Sequence, residues 1–402
     1  MSYQPAEVAV RAGVAPEFVD RLIEVGILKP TDDGYSAGDI RRAALVLVLD
    51  RAGLPLEGIA AAIDRGQLSL DFMDASNYDR FSTVTDQTFA QVSATSGVPL
   101  DLLMVVREAI GFAEPLPDDR VRDVELRIVP LVAMQVAEGF ETATIERWLR
   151  VYGESLRRVS ETEADWWHTQ VEARLMAQGM SPAEMMEYAD AHLAAQMAPL
   201  LDDALLGIYH GHQEHSWTTS IITGVEAALA EAGVFSRLAH PPAICFLDVT
   251  GYTRLTAERG DKAAAQLADE LSRIVRRTSA RHDGKPIKWL GDGVMFFFRR
   301  AGDGVEAALE MVATAQTAGL PPAHVGLHAG PVIFQDGDYF GQTVNLASRI
   351  ADYARPGEVL VSQAIVDAAE GDAVTYSEIG PVELKGVSGA LVLHAARNAA
   401  PA

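Results

Sequence analysis

Cysteine is almost absent from the 402 residues: Cys245 stands alone, with nothing in the chain to pair with. Set inside an apolar run, it reads as a small core residue of a protein kept in a reducing compartment. No apolar run approaches the length of a membrane span, and the start, MSYQPAEVAVRAG, lacks the basic-then-apolar layout of a secretory signal. The cytoplasm is therefore the expected location. Basic charge is also scarce, 33 Lys+Arg against 56 Asp+Glu, a formal net charge of −23. Most of the imbalance lies in residues 1–240, with 18 basic and 37 acidic residues, whereas residues 241–402 carry 15 and 19. An acidic surface repels nucleic acid and anionic lipid, so a phosphate backbone is a poor partner for the first half.

What is present begins with a short helical module, residues 1–75. AEVAVRAGV and EFVDRLIEVGIL place apolar residues at helical spacing around a turn at Gly13, and a turn-rich LKPTDDGYSAGDI precedes the next helix. With its GILKP, GY and DIR elements, this order resembles the winged helix-turn-helix of MerR-type regulators. The resemblance departs at Pro16, Glu17, Phe18, Val19 and Asp20, where an acid stands in place of the usual basic DNA contact. Residues 1–70 hold 7 basic and 10 acidic residues, so the expected role is protein contact and not DNA binding.

Residues 76–235 read as a helical regulatory domain with a connecting helix. Apolar recurrence at three and four runs through LLMVVREAIGFA, VELRIVPLVAMQVAEGF and the long TIERWLRVYGESLRRVSETEADWW segment. Ser181, Pro182 and Glu184 form a capping-box signature. Trp166, Trp167, Met180, Met185, Met186 and Met197 read as core, the alternative being an apolar pocket for an acyl chain. His210, His212 and His215 cluster near the junction, read as a polar helix end or as a pH-responsive hinge. A lipid or a proton is thus the candidate regulatory input. Pro241 and Pro242 mark the expected boundary.

From residue 240 to 398 the pattern changes to strands alternating with helices, in the order β-α-β-β-α-β. That order predicts an α+β, ferredoxin-like domain with helices on one sheet face. PIKWL and VMFFF flank Gly291-Asp292-Gly293 as a hairpin, and HVGLHAG with PVIFQ reads as another. Two apolar runs stop at a lone aspartate beside glycine, AICFLDVTGYT at Asp248 and KWLGDGVMFFF at Asp292. Carboxylates at the mouths of buried strands need something positive to meet them, and the pair suggests a metal–phosphate site.

FLDVTGYT, KWLGDGVMFFF, GLHAGPV, DYFGQTVNLASRI, RPGEVLVS and VELKGV, in this order, are similar to the catalytic domain of class III nucleotidyl cyclases. The helical half in front resembles the regulatory region of soluble actinobacterial-type adenylate cyclases. The resemblance implies that Asp248 and Asp292 hold two divalent cations, Mg²⁺ or Mn²⁺, and that Val249, Thr250, Gly251, Tyr252 and Thr253 cradle phosphates with their peptide N–H groups. Lys288 and Asp338 would read the adenine edge, since guanylate cyclases of the class usually carry Glu with Cys or Ser there. Asn345 would meet the ribose, Arg349 the charge growing on the transferred phosphate, and Lys385 the triphosphate. Two catalytic domains of this family pair head to tail and share each site. The chain is therefore expected to be a homodimeric adenylate cyclase that makes 3′,5′-cyclic AMP and pyrophosphate from ATP under control of its first half. A guanylate cyclase is the alternative within the class, and a nucleotide-sensing adaptor without turnover the alternative outside it.

Overall fold

The computed structural model describes residues 2–31, 33–74, 84–234, 241–252, 260–369 and 373–399. Packing divides the chain into two compact units, Met1–His215 and Ser216–Ala402.

The first unit opens with helices α1 (Pro5–Ala12), α2 (Pro16–Glu24), α3 (Ala37–Arg51) and α4 (Leu56–Asp64) around Val8, Leu22, Leu28, Ile40, Val46 and Ile59. Ser36 begins α3 with a reciprocal cap: its hydroxyl accepts from the Asp39 N–H at 3.1 Å, and Asp39 accepts from the Ser36 N–H at 2.8 Å. Arg42 is buried but paired, with Asp39 and, at 2.8 Å, with Asp74. The expectation of helices throughout residues 80–235 is corrected by a ribbon: β1 (Val84–Thr88) pairs antiparallel with β2 (Arg120–Arg122). Its β-branched residues favour extended backbone, Thr85 donates to the Val121 carbonyl at 2.8 Å, and Arg120 meets Asp86 at 3.2 Å.

Helices α5 (Phe89–Ser96), α6 (Leu100–Ala109), α7 (Asp123–Leu126), α8 (Val129–Ala137) and α9 (Thr142–Trp167) gather Phe89, Leu102, Leu103, Val132, Ile145 and Leu149. A π-helical stretch leads to α10 (Ala173–Ala177) and α11 (Pro182–Ala189). The expected Ser181–Glu184 capping box is formed, with both backbone N–H groups satisfied. Trp167, Met180, Met185 and Met186 belong to the core beneath these helices, whereas Trp166 is exposed. Helix α12 (Ala195–Glu231) runs for 37 residues with none of them buried.

In the second unit, β3 (Ala243–Val249), α13 (Asp261–Arg281), β4 (Gly284–Leu290), β5 (Gly293–Phe298), α14 (Ala301–Thr317) and β6 (Ala323–Ala329) follow the expected β-α-β-β-α-β order. Strands β6-β3-β5-β4 lie side by side in the ferredoxin-like arrangement. The sheet continues beyond β6 through β9 (Val359–Ser362), β11 (Ala390–Asn398) and β10 (Val374–Glu383), and only β6 and β9 run parallel. Cys245, Leu247, Val294, Phe296, Val325 and Leu327 pack on one face with Val275, Val305 and Met311 of α13 and α14. Helix α15 (Gln342–Tyr353) covers the other face, packing Val344 and Ala347 on Ile244 and Met295. The two helices of the β-α-β-β-α-β core share one face as expected, and α15 is an addition beyond that core on the opposite face. Gly326 admits it: a Cβ there would lie 2.1 Å from the Ala351 backbone nitrogen, so α15 rests directly on bare strand.

A second correction concerns β7 (Ile333–Gln335). It pairs with β8 (Asp338–Phe340) and not with β6. Asp336 and Gly337 both take positive φ, 55° and 79°, the two-residue turn that matches strand twist. The short helix α16 (Gln363–Ala368) follows β9.

Candidate active site

Asp248 is the last residue but one of β3, and Asp292 sits in the two-residue turn between β4 and β5. Strand pairing of β3 with β5 brings them to the same sheet edge, Leu247 opposite Val294. Gly293 allows the approach: a Cβ there would lie 3.1 Å from the Leu247 carbonyl oxygen and 3.3 Å from Asp248 Oδ1. Burial, and then the Asp292 charge, raise the Asp248 carboxyl above its usual range, while His324 pulls the other way. Among the described residues no lysine or arginine forms an ion pair with either aspartate.

The turn after β3 is held from two sides. The Thr250 N–H donates to the Pro322 carbonyl at 3.0 Å, and the Thr250 hydroxyl lies 3.2 Å from His324 Nδ1. Tyr252 donates its phenol to the Ala264 carbonyl at 3.0 Å. Val249 and Gly251 complete the described part of this turn, and Thr253 lies outside the described residues.

Lys288 of β4 donates to Asp338 of β8 at 2.5 Å, with its ammonium 5.8 Å from the centre of the Phe340 ring. Asn345 and Arg349 both lie exposed on one face of α15, and Arg349 donates to Asp352 at 2.7 Å. Lys385 is exposed in the turn between β10 and β11. The structure thus brings together Asp248, Asp292 and Thr250 on one hand, and Lys288 with Asp338 on the other. Among the described residues no hydrogen bond or ion pair joins the aspartates to Lys288, Asp338, Asn345, Arg349 or Lys385.

One residue at this edge was not legible in the sequence. His324 stands opposite Asp248 in the β3–β6 register, its Nε2 3.7 Å from Asp248 Oδ2. A histidine in AHVGLHAG carries no signal by itself, because only strand pairing places it across from an aspartate 76 positions earlier.

Two family patterns match. Residues 238–396 match the Adenylate and Guanylate cyclase catalytic domain, and residues 28–208 match the Adenylate cyclase regulatory domain. The pH-sensitive adenylate cyclase of Mycobacterium tuberculosis is 29% identical over 322 residues, 77% of this chain and 78% of that one. An adenylate cyclase of Streptomyces coelicolor is 26% identical over 279 residues, 69% of this chain and 70% of that one. The crystal structure of an adenylyl cyclase from P. aeruginosa superposes with a TM-score of 0.37 at 21% identity, covering 40% of this chain and 95% of that one. The regulatory pattern precedes the catalytic one along the sequence, and with these relatives the chain belongs to the class III adenylate cyclases of the actinobacterial type.

Proposed function

We propose that the chain cyclises ATP to 3′,5′-cyclic AMP and pyrophosphate at sites shared between two copies, with divalent cations held by Asp248 and Asp292. The observation that carries this reading is the aspartate pair itself: two carboxylates at one sheet edge, one of them raised first by burial and then by the other's charge, and no described lysine or arginine paired with either. Such a pair suits Mg²⁺ or Mn²⁺, which take a few carboxylates and leave other positions to water and phosphate oxygens. Bound cations supply the Lewis acidity that lowers the pKa of the ribose 3′-hydroxyl and offsets charge on the triphosphate.

The other roles fall to the chain's own groups. The turn after β3, Val249 to Tyr252 and on to Thr253 outside the described residues, would receive phosphate oxygens through peptide N–H groups, the Thr250 N–H excepted because it is held by the Pro322 carbonyl. Lys288 donates to adenine N1 and Asp338 accepts from the 6-amino group; their mutual bond keeps both aligned until a base enters. Asn345 fixes the ribose, Arg349 meets charge developing on the transferred phosphate, and Lys385 meets the triphosphate.

Sharing between copies accounts for the separation of the aspartates from the base-reading and phosphate-binding groups on one chain. Exposed Trp289, Leu290, Ile333, Phe334 and Phe340 near Lys288 and Asp338 supply an apolar face for a second copy. Helix α12 offers another, with Leu201, Ile208, His215, Ile222 and Leu229 spaced by seven on a helix that buries nothing. In this reading the first half regulates turnover through α12. Protons are the favoured input, because His210, His212 and His215 all lie exposed on that helix.

Mixing chains tests the shared site. Asp248→Ala and Arg349→Ala homodimers should each be inactive, and an equal mixture should regain about one quarter of wild-type activity, from one intact site in half of the dimers. No recovery after confirmed subunit exchange would rule out sharing.

A further inference from the structure

We propose that His324 is a positioning residue that holds the Asp248 carboxylate and the Thr250 turn in one fixed relation. The inference rests on the metal-holding role proposed above for Asp248.

The ring is well placed for this work. It leaves β6 on the same sheet face as Asp248, its direct partner across the β3–β6 pair. Its side chain is only 12% exposed, against 48% for Asp248, so the ring forms the inner wall behind a carboxylate that looks outward. Nδ1 lies 3.2 Å from the Thr250 hydroxyl, and Nε2 lies 3.7 Å from Asp248 Oδ2. One arrangement of protons serves both contacts: the hydroxyl donates to Nδ1, and Nε2–H faces the carboxylate. At 3.7 Å the second contact is an electrostatic approach and not a hydrogen bond, so the carboxylate keeps freedom to turn toward a cation.

The ring does not act alone. Two residues before it, the Pro322 carbonyl takes the Thr250 N–H at 3.0 Å. Segment 322–324 therefore grips Thr250 by backbone and by side chain, and the same imidazole continues to Asp248. Groups behind a metal-holding carboxylate set its direction, and their loss typically costs about 10- to 100-fold in metal affinity or activity. Here one imidazole would set the carboxylate relative to the turn that receives phosphate, two parts of the site that must agree for in-line attack.

The test measures Mn²⁺ binding to the full-length protein in the presence of 3′-deoxy-ATP, which lacks the attacking hydroxyl, alongside steady-state kinetics with ATP. His324→Leu removes both contacts, His324→Gln keeps an amide reaching toward Asp248, and His324→Asn keeps only a shorter one. The expected result is Mn²⁺ affinity and kcat each lowered about tenfold or more in His324→Leu, a smaller change in the KM for ATP, and recovery of most of the Mn²⁺ affinity in His324→Gln. Wild-type Mn²⁺ affinity in a folded His324→Leu protein would overturn the proposal. If His324→Leu does not fold, the other pair decides: Gln should bind Mn²⁺ several-fold more tightly than Asn, and equal affinities would overturn it. Asp248→Asn is the control that separates the two readings. Undiminished Mn²⁺ binding there would remove the metal role of Asp248 itself, whatever His324 does.

Discussion

Arg299, the first residue past β5, donates to Glu226 of α12 at 3.3 Å, and both side chains are mostly buried. The end of the long helix is thereby tied to the strand that starts just after Asp292. The Arg299 charge also bears on the Tyr339 phenol, opposing the upward push of burial there. Tyr339 stacks on Phe297 at 4.5 Å and neighbours Asp338. A shift of α12 thus has a physical route to the ribbon that carries an adenine-reading carboxylate. Replacing Arg299 or Glu226 by Gln should lower stability, and a double-mutant cycle by urea denaturation should return a coupling of about 1 kcal/mol. The same variants should change the kcat of the full chain. A coupling of zero would leave α12 without this anchor.

The bond between Lys288 and Asp338 gives base selectivity a stability signature. Lys288 pairs with Asp338 Oδ2 in the free enzyme, so Lys288→Ala alone takes the counter-charge from a half-buried carboxylate that then keeps only the Tyr339 N–H, at 2.8 Å on Oδ1. Either single change should lower kcat/KM for ATP by about 10- to 100-fold, and Lys288→Glu with Asp338→Cys should shift the preference toward GTP. Turnover of both triphosphates by each variant is the measurement. Unchanged ATP preference in the double variant would take base reading away from these two residues.

Dimerisation through α12 is open to a single charge. Ile222 is the fourth of the five residues in the seven-residue repeat and is 43% exposed on one chain. Ile222→Asp would bring two carboxylates together across a twofold seam, which should weaken association by about tenfold or more. Sedimentation across a protein dilution series reports this directly. Unaltered association would mean that α12 does not form the seam.

Local pattern foretold what local pattern governs. The β-α-β-β-α-β order, the β4–β5 hairpin and the two aspartates ending apolar runs could all be read within a dozen residues of each. One local turn was misread, because Asp336-Gly337 closes the β7–β8 ribbon before β7 can reach β6, and features set by packing between distant segments could not be read at all. The face taken by α15 depended on Gly326, a glycine with no turn signal around it. His324 belongs to the same class, since its meaning comes from register and from nothing in its neighbours. The β1–β2 ribbon was hidden by its size: β2 has three residues, too few for any period to show.

Asp248 also makes a prediction about stability. Its carboxyl is raised by burial first and by Asp292 second, so the folded chain holds that proton more tightly than the unfolded chain does. Stability from this group is therefore fully present below the ordinary carboxylate range and declines as pH rises through the raised value. At neutral pH the ionised side chain is a net cost to the fold, kept below about 1 kcal/mol because it is half-exposed and solvent screens it. Asp248→Asn should then be slightly more stable than wild type at pH 7 in urea denaturation without metal, while losing turnover. The difference should close on acidification, once both side chains are neutral. Adding Mn²⁺ with 3′-deoxy-ATP should reverse the order, because only wild type gains the binding energy of the cation at that carboxylate. A variant less stable than wild type at pH 7 without metal would show that Asp248 is satisfied by the protein alone, and the reason for placing a cation beside it would be gone.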